Sequence, residues 1–196
     1  MPATRQSEHV TLTSVLPLNG VDLGEYAGQL STQDYAPVTT LAGVEFLELR
    51  QSVDEGGDFM ELARLGPNGE LLAKPEVHVS QVNFSRVLPG AIKAFHLHFN
   101  QEDVWFVPPE DRLLVGLLDT RRDSPTYRGH MRFVLGAGRC RLLYIPRGVA
   151  HGVANLWPQP AALMYLVNQH FSVDEPDERR LPWDIQGVDF WTIRPG

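Results

Sequence analysis

Glycine and proline punctuate this chain so densely, 17 and 15 of its 196 residues, that few uninterrupted stretches are long enough for a core helix. A chain of this kind has to build its core from short strands. The stretch Val44-Glu45-Phe46-Leu47-Glu48-Leu49-Arg50 alternates apolar and polar side chains, as a strand with one buried face does. Further strands are expected at 59–65, 77–85, 91–99, 113–119, 131–135, 141–145 and 162–168, with turn residues between them. Many short strands in succession make an all-β sandwich or a closed barrel. Before about residue 40 the pattern weakens, and 21–30 reads as one short helix. No internal repeat, low-complexity tract or clear interdomain linker is evident.

With 43% hydrophobic content over 196 residues, the chain can bury one substantial core but would be stretched to make two. Its 17 basic and 24 acidic residues leave a net charge of -7, which argues against a nucleic-acid or anionic-membrane partner, since both need accumulated positive charge. An anionic ligand therefore needs a local basic pocket. The lone Cys140 cannot form an internal disulfide, and the opening stretch MPATRQSEHVTLTS lacks the apolar core of a signal peptide. Nowhere do enough apolar residues run together to span a bilayer, so a cytoplasmic protein is expected.

The chemistry concentrates between Gly90 and Glu102. Residues two apart on a strand share a face, so His96 and His98 both look the same way, and Glu102 follows a short bend. Downstream, Pro146, Gly148, His151 and Asn155 form a Pro-x-Gly-x-x-His-x-x-x-Asn pattern. The two stretches, in this order, resemble the paired motifs of the cupins, apart from Pro109 and Cys140 at positions where cupins carry glycine. The resemblance implies a double-stranded β-helix, or jelly-roll, barrel. His96, His98, Glu102 and His151 then make a three-His, one-Glu set suited to Mn, Fe, Ni, Cu or Zn. The plainer alternative is a wet pocket in which both histidines are simply hydrogen-bonded to neighbours.

A second resemblance covers about residues 45–191. Asp54, Gly57, Phe59 and Glu61 fit a D-x-x-G-x-F-x-E segment, and Gln81, Asn83 and Ser85 fit Q-x-N-x-S. Asp119, Arg121, Ser124, Pro125 and Thr126 fit D-x-R-x-x-S-P-T; Ala150-His151-Gly152 and Met164-Tyr165-Leu166 follow. In these segments the chain resembles the dTDP-4-dehydrorhamnose 3,5-epimerase family. The resemblance implies that His96 is the catalytic base and Tyr165 the acid, with Glu61, Gln81, Asn83, Lys93 and His151 at the substrate. It also implies no cofactor, a small-molecule sugar or sugar nucleotide as ligand, and a homodimer. Residues 1–45 are then a strand-rich extension that acts as exchange arm, and 46–196 the single barrel. The chemistry is coherent: an imidazole is largely unprotonated near neutrality and can take a proton beside a keto group, and a phenol can return one from the opposite face.

Departures from the family point elsewhere. Lys93-Ala94-Phe95-His96 stands for Arg-Gly-Leu-His, Gly56 for an early arginine and Val115 for a carboxylate; Val104 lies nearest the expected pocket lysine. His98 replaces a usual aromatic residue, and the aspartate that should partner the base has no evident counterpart near the C-terminus. Loss of these contacts leaves two further readings open: a metal-dependent cupin such as a dioxygenase, isomerase or lyase, and a sugar-binding cupin without catalysis. His96 cannot be free base and metal ligand at once. Trp105 and Phe106 are read as barrel packing or an aromatic wall, and Arg121, Arg122 and Arg128 as a solvated loop or an anion site. The charged run 174–180 reads as a surface turn, and Trp183 and Trp191 as anchors of the tail.

Overall fold

A computed structural model describes residues 24–29 and 40–194. The first stretch is a 3-10 turn, Gly24–Gln29, within the unit Met1–Pro37; the second belongs to the unit Val38–Gly196. The rest of the expected exchange arm lies outside the described residues.

The strands are β1 (Glu45–Glu48), β2 (Gln51–Asp54), β3 (Gly57–Met60), β4 (Glu70–Leu71), β5 (Lys74–His78), β6 (Gln81–Val87) and β7 (Ile92–Leu97). They continue with β8 (Asp103–Phe106), β9 (Arg112–Asp119), β10 (His130–Gly136), β11 (Arg141–Ile145), β12 (Val149–Ala154), β13 (Ala161–Val167) and β14 (Arg179–Arg180). One antiparallel sheet runs β1-β11-β8-β13-β6 and the other β10-β9-β12-β7-β14, with β2-β3 and β4-β5 as separate hairpins. Trp105, Leu143, Ile145 and Leu163 of the first sheet and Leu113, Val115, Leu117, Leu135 and Val153 of the second share one core, so the sheets face each other. This is the all-β jelly-roll barrel expected of a cupin.

Both sheets are also covered on the outside. Leu71 and Val77 of the β4-β5 hairpin pack with Val104, Phe106, Leu142 and Leu166 on the first. Phe190 and Trp191 of the C-terminal 3-10 turn Val188–Trp191 pack with Phe95, Leu114 and Leu118 on the second. Gly116 makes that docking possible, because a Cβ there would lie 2.5 Å from the Phe190 ring and 2.6 Å from the Trp191 ring. The Trp191 indole donates to the Trp183 carbonyl at 2.8 Å, so Trp191 anchors the tail as expected, whereas the Trp183 side chain stays half exposed.

Coverage on both faces explains where sequence pattern and structure part. β8 and β12 are buried at every position and β9 at all but its first, so they lack the apolar-polar alternation that marks a half-buried strand. In β1, Phe46 packs into the barrel and Leu47 into the outer core, so two successive residues are half-buried. The expected strand 77–85 is two strands, β5 and β6, and 59–65 keeps only its start, as β3 of a hairpin.

The D-x-R-x-x-S-P-T segment is a structural knot. Asp119, 1% exposed, accepts from Arg121 Nε and Nη2 at 2.8 and 2.9 Å and from the hydroxyls of Ser124 and Thr126. Arg121 also donates to the Ala42 carbonyl, so its guanidinium is committed internally and is not a free anion site. Burial pushes the Asp119 carboxyl up, but Arg121, Ser124 and Thr126 outweigh it and hold the group well below the usual carboxylate range. A carboxyl with a depressed folded pKa contributes stability that is whole above its unfolded value of about 3.9 and is lost as pH falls from there through the folded value. Asp119→Asn is accordingly expected to lower unfolding free energy by about 3 kcal/mol at neutral pH. It should also flatten the acid limb of a denaturant-midpoint profile; an unchanged limb would remove Asp119 from acid stability.

Candidate active site

Strands β6, β8 and β13 of the first sheet and β7 and β12 of the second line a cavity of about 570 Å³. Alternation along β6 turns Gln81, Asn83 and Ser85 inward and leaves Val82 and Phe84 exposed. On β8 the same period sends Asp103 and Trp105 into the cavity and Val104 and Phe106 into the outer core. Of the aromatic pair, only Trp105 is therefore a wall of the site, its ring edge-on to His151 at 5.1 Å.

His151 on β12 pairs with His96 on β7, their rings stacked 6.2 Å apart, and Val153 pairs with Lys93. The extra residue on β7 between these pairs is a bulge, which is why Lys93 and His96, three apart, both reach the cavity. Gly152 sits opposite the bulge, where a Cβ would lie 2.3 Å from Ala94 Cβ and 2.8 Å from the Lys93 carbonyl. The glycine of Ala150-His151-Gly152 is thus a steric condition of the geometry that sets His96 beside His151. Tyr165 comes from the opposite sheet, on β13, between Trp105 and Asn83 in the register.

The remaining wall is the segment 169–180. The Asp177 carboxylate accepts from the backbone N–H groups of Phe99, Asn100 and Gln101 at 3.0, 2.7 and 2.8 Å, and its carbonyl oxygen accepts from His98 Nδ1. Pinned there, the segment delivers Glu178, whose Oε1 meets His96 Nδ1 and lies 3.1 Å from Arg180 Nε. Burial pushes Glu178 up, but the bond to His96, with His98 and Arg180 nearby, brings it below the ordinary range and keeps it ionised. Burial, reinforced by Asp103 and Glu178, raises the Tyr165 phenol, so it stays protonated at neutral pH. Burial also lowers His151 to about 4 against the pull of Asp103, so this imidazole is neutral.

The structure thus gathers His96, His98, His151, Tyr165, Gln81, Asn83 and Lys93 around one cavity, with Lys93 Nζ 3.1 Å from Ser85 Oγ. It does not bring Glu61 there; that exposed carboxylate pairs with Arg64 at 2.7 Å. Nor does Glu102 join the histidines. It accepts from Arg147 at 3.1 Å and faces Tyr144, whose phenol is pushed up to about 12 by burial and then by Glu102. The three-His, one-Glu shell is not assembled, because the chain presents Asp103, one residue on, to the cavity instead. Asn155 is structural: its amide donates to the Val87 and Gln159 carbonyls at 2.9 and 2.7 Å. The run 174–180 is not merely a surface turn, since Asp177 and Glu178 both line the cavity and Glu178 sets a carboxylate against His96.

A carboxylate-backed imidazole on one sheet and a protonated phenol on the other can take a proton from one side of a bound molecule and return it from the other. That defines an acid–base enzyme on a jelly-roll scaffold. The profile of the dTDP-4-dehydrorhamnose 3,5-epimerase family matches residues 38–191. The chain is 38% identical over 148 residues to the spore coat polysaccharide biosynthesis protein SpsL of Bacillus subtilis, covering 76% of this chain and 93% of that protein. It is 30% identical over 141 residues to the probable low-salt glycan biosynthesis epimerase Agl13 of Haloferax volcanii, covering 72% and 87%. Among solved structures it resembles the Bacillus anthracis dTDP-4-dehydrorhamnose 3,5-epimerase with TDP and PPi bound. That match has a TM-score of 0.65 and 27% identity and covers 81% of this chain and 90% of that one. The chain belongs to the dTDP-4-dehydrorhamnose 3,5-epimerase family, and its activity is that of a sugar epimerase or isomerase.

Proposed function

We propose that the enzyme epimerises a nucleotide-linked 4-keto-6-deoxy sugar, with His96 as base and Tyr165 as acid. The observation that carries the reading is the His96–Glu178 pair facing the cavity across from Tyr165. His96 removes the proton next to the keto group, and the ionised Glu178 stabilises the imidazolium that forms. Tyr165 protonates the resulting enolate from the other side. Gln81 and Asn83 offer amide contacts to the sugar nucleotide and Lys93 a positive charge at the rim, while His151 stacks beside His96 in the cavity wall. TDP in the Bacillus anthracis relative supports a dTDP-linked substrate.

A homodimer, with the 1–45 extension exchanged between subunits, is part of the same reading. The exposed Val82 and Phe84 on edge strand β6 support a subunit contact there, and a second subunit is the route by which Glu61 would reach a bound nucleotide. Among the described residues no helix is long and apolar enough to cross a membrane. The single free Cys140 favours a cytoplasmic setting. His96→Ala is expected to abolish solvent deuterium incorporation into a 4-keto-6-deoxy sugar nucleotide. Wild-type protein that exchanges nothing across a panel of dTDP- and UDP-linked 4-keto sugars would sink the reading, and binding without exchange would make the chain a sugar-binding cupin.

A further inference from the structure

Proton transfer between His96 and Tyr165 leaves a second cluster in the cavity unexplained. His98, Asp103 and His151 are 6%, 2% and 3% exposed, and each presents a ligand atom within 4.8 Å of the others. His98 Nε2 and His151 Nε2 lie 3.7 and 3.8 Å from the same oxygen, Asp103 Oδ2.

The direction of the ring nitrogens follows from what the rings do on their far sides. His98 Nδ1 bonds the Asp177 carbonyl, and His151 Nδ1 bonds the Val149 carbonyl at 2.9 Å. A carbonyl only accepts, so each Nδ1 carries a hydrogen and each ring turns its Nε2 toward Asp103. Three ligand atoms of the kinds that bind metals therefore converge. The two histidine–aspartate separations are beyond hydrogen-bond range, yet only a few tenths of an ångström above the ligand–ligand distance of about 3.4 Å that metal–ligand bonds of about 2.1 Å give at a tetrahedral angle. Carbonyl-anchored histidines are how metal ligands are commonly oriented.

Asp103 supplies an independent observation. Its carboxylate is almost fully withdrawn from water, and its hydrogen bonds come from neutral donors at long range. Gln101 Nε2 is 3.4 and 3.3 Å from its two oxygens, and Trp105 Nε1 is 3.4 Å from one. Bonds that compensate a buried carboxylate are nearer 2.8 Å, so the charge is under-compensated. The Gln101 amide, also 3.2 Å from His98 Nε2, occupies the place where positive charge is wanted.

We propose that His98, Asp103 and His151 form a binding site for a divalent transition metal, two imidazoles and one carboxylate, with open positions toward the cavity. This set differs from the three-His, one-Glu cupin shell in leaving out both His96 and Glu102. His96 is thereby free to act as base while its neighbours hold the cation, so proton transfer and metal binding do not compete for one atom. The use of the metal in turnover rests on the epimerase reading: a cation here supplies positive charge for a keto oxygen, in a cavity where β8 offers Asp103 and no lysine.

The test is metal binding by the full-length, tag-free protein after chelator treatment, titrated with Co2+ and Zn2+ by calorimetry and by the visible absorption of Co2+. One equivalent per chain is expected. Asp103→Asn, which is isosteric and keeps the fold, and His98→Gln should each weaken binding by at least about 100-fold, while His96→Gln should leave it within about threefold. No binding at millimolar metal overturns the site, as does undiminished binding in Asp103→Asn or an equal loss in His96→Gln. Binding is read on the protein alone, so its failure leaves the epimerase reading standing, and absent deuterium exchange leaves the binding result standing.

Discussion

Glu178→Gln is expected to slow deuterium exchange into substrate on the order of 100-fold while leaving KM within about threefold. The glutamine keeps shape and hydrogen-bonding capacity near His96 but removes the charge that stabilises the imidazolium. Two unit charges about 4 Å apart at an effective dielectric of about 20 interact by about 4 kcal/mol. The solvent that reaches Glu178 reduces that figure, which leaves roughly 100-fold rather than 1,000-fold. Because the charge matters only once His96 has taken the proton, the loss belongs in kcat, and Glu178→Asp should recover part of it. An equal rise in KM, or a glutamine variant as fast as wild type, would show that Glu178 merely shapes the pocket.

The second large effect separates two steps that are fused in the wild type. Tyr165→Phe keeps the ring between Trp105 and Asn83 and removes only the hydroxyl. His96 and Glu178 are untouched, so abstraction persists and deuterium still enters recovered substrate. Reprotonation from the opposite side fails, and formation of epimerised product falls on the order of 100- to 10,000-fold. The measurement is mass-spectrometric deuterium content beside the configuration of the sugar. Exchange and epimerisation falling together would take the acid role away from Tyr165.

These expectations divide between what the sequence made legible and what it did not. His96, Tyr165, Gln81, Asn83 and Lys93 stand in short motifs whose register survives folding, and two-residue alternation carried most of them to the correct face. Glu178 had no such signal. It meets His96 across 82 residues of sequence, from a charged run whose local character is that of a solvated turn. Only the search for any carboxylate able to replace the family's aspartate would have singled it out. Asp103 was passed over for a different reason. Motif spacing favoured Glu102, whereas alternation back from Trp105 along β8 points to Asp103; a strand buried on both faces hides that period among apolar neighbours. Glu61 shows the converse, a motif match whose residue the fold of one subunit leaves at the surface.

β14 is two residues long and adds to the outer edge of β7, and the segment before it is held chiefly by the three amides that bind Asp177. So short a strand is among the first elements to detach when a protein breathes locally. The barrel that carries His96 can therefore outlast its pairing with Glu178. Heat or mild denaturant is therefore expected to silence catalysis in molecules that are still folded, at temperatures below the melting of the sheets.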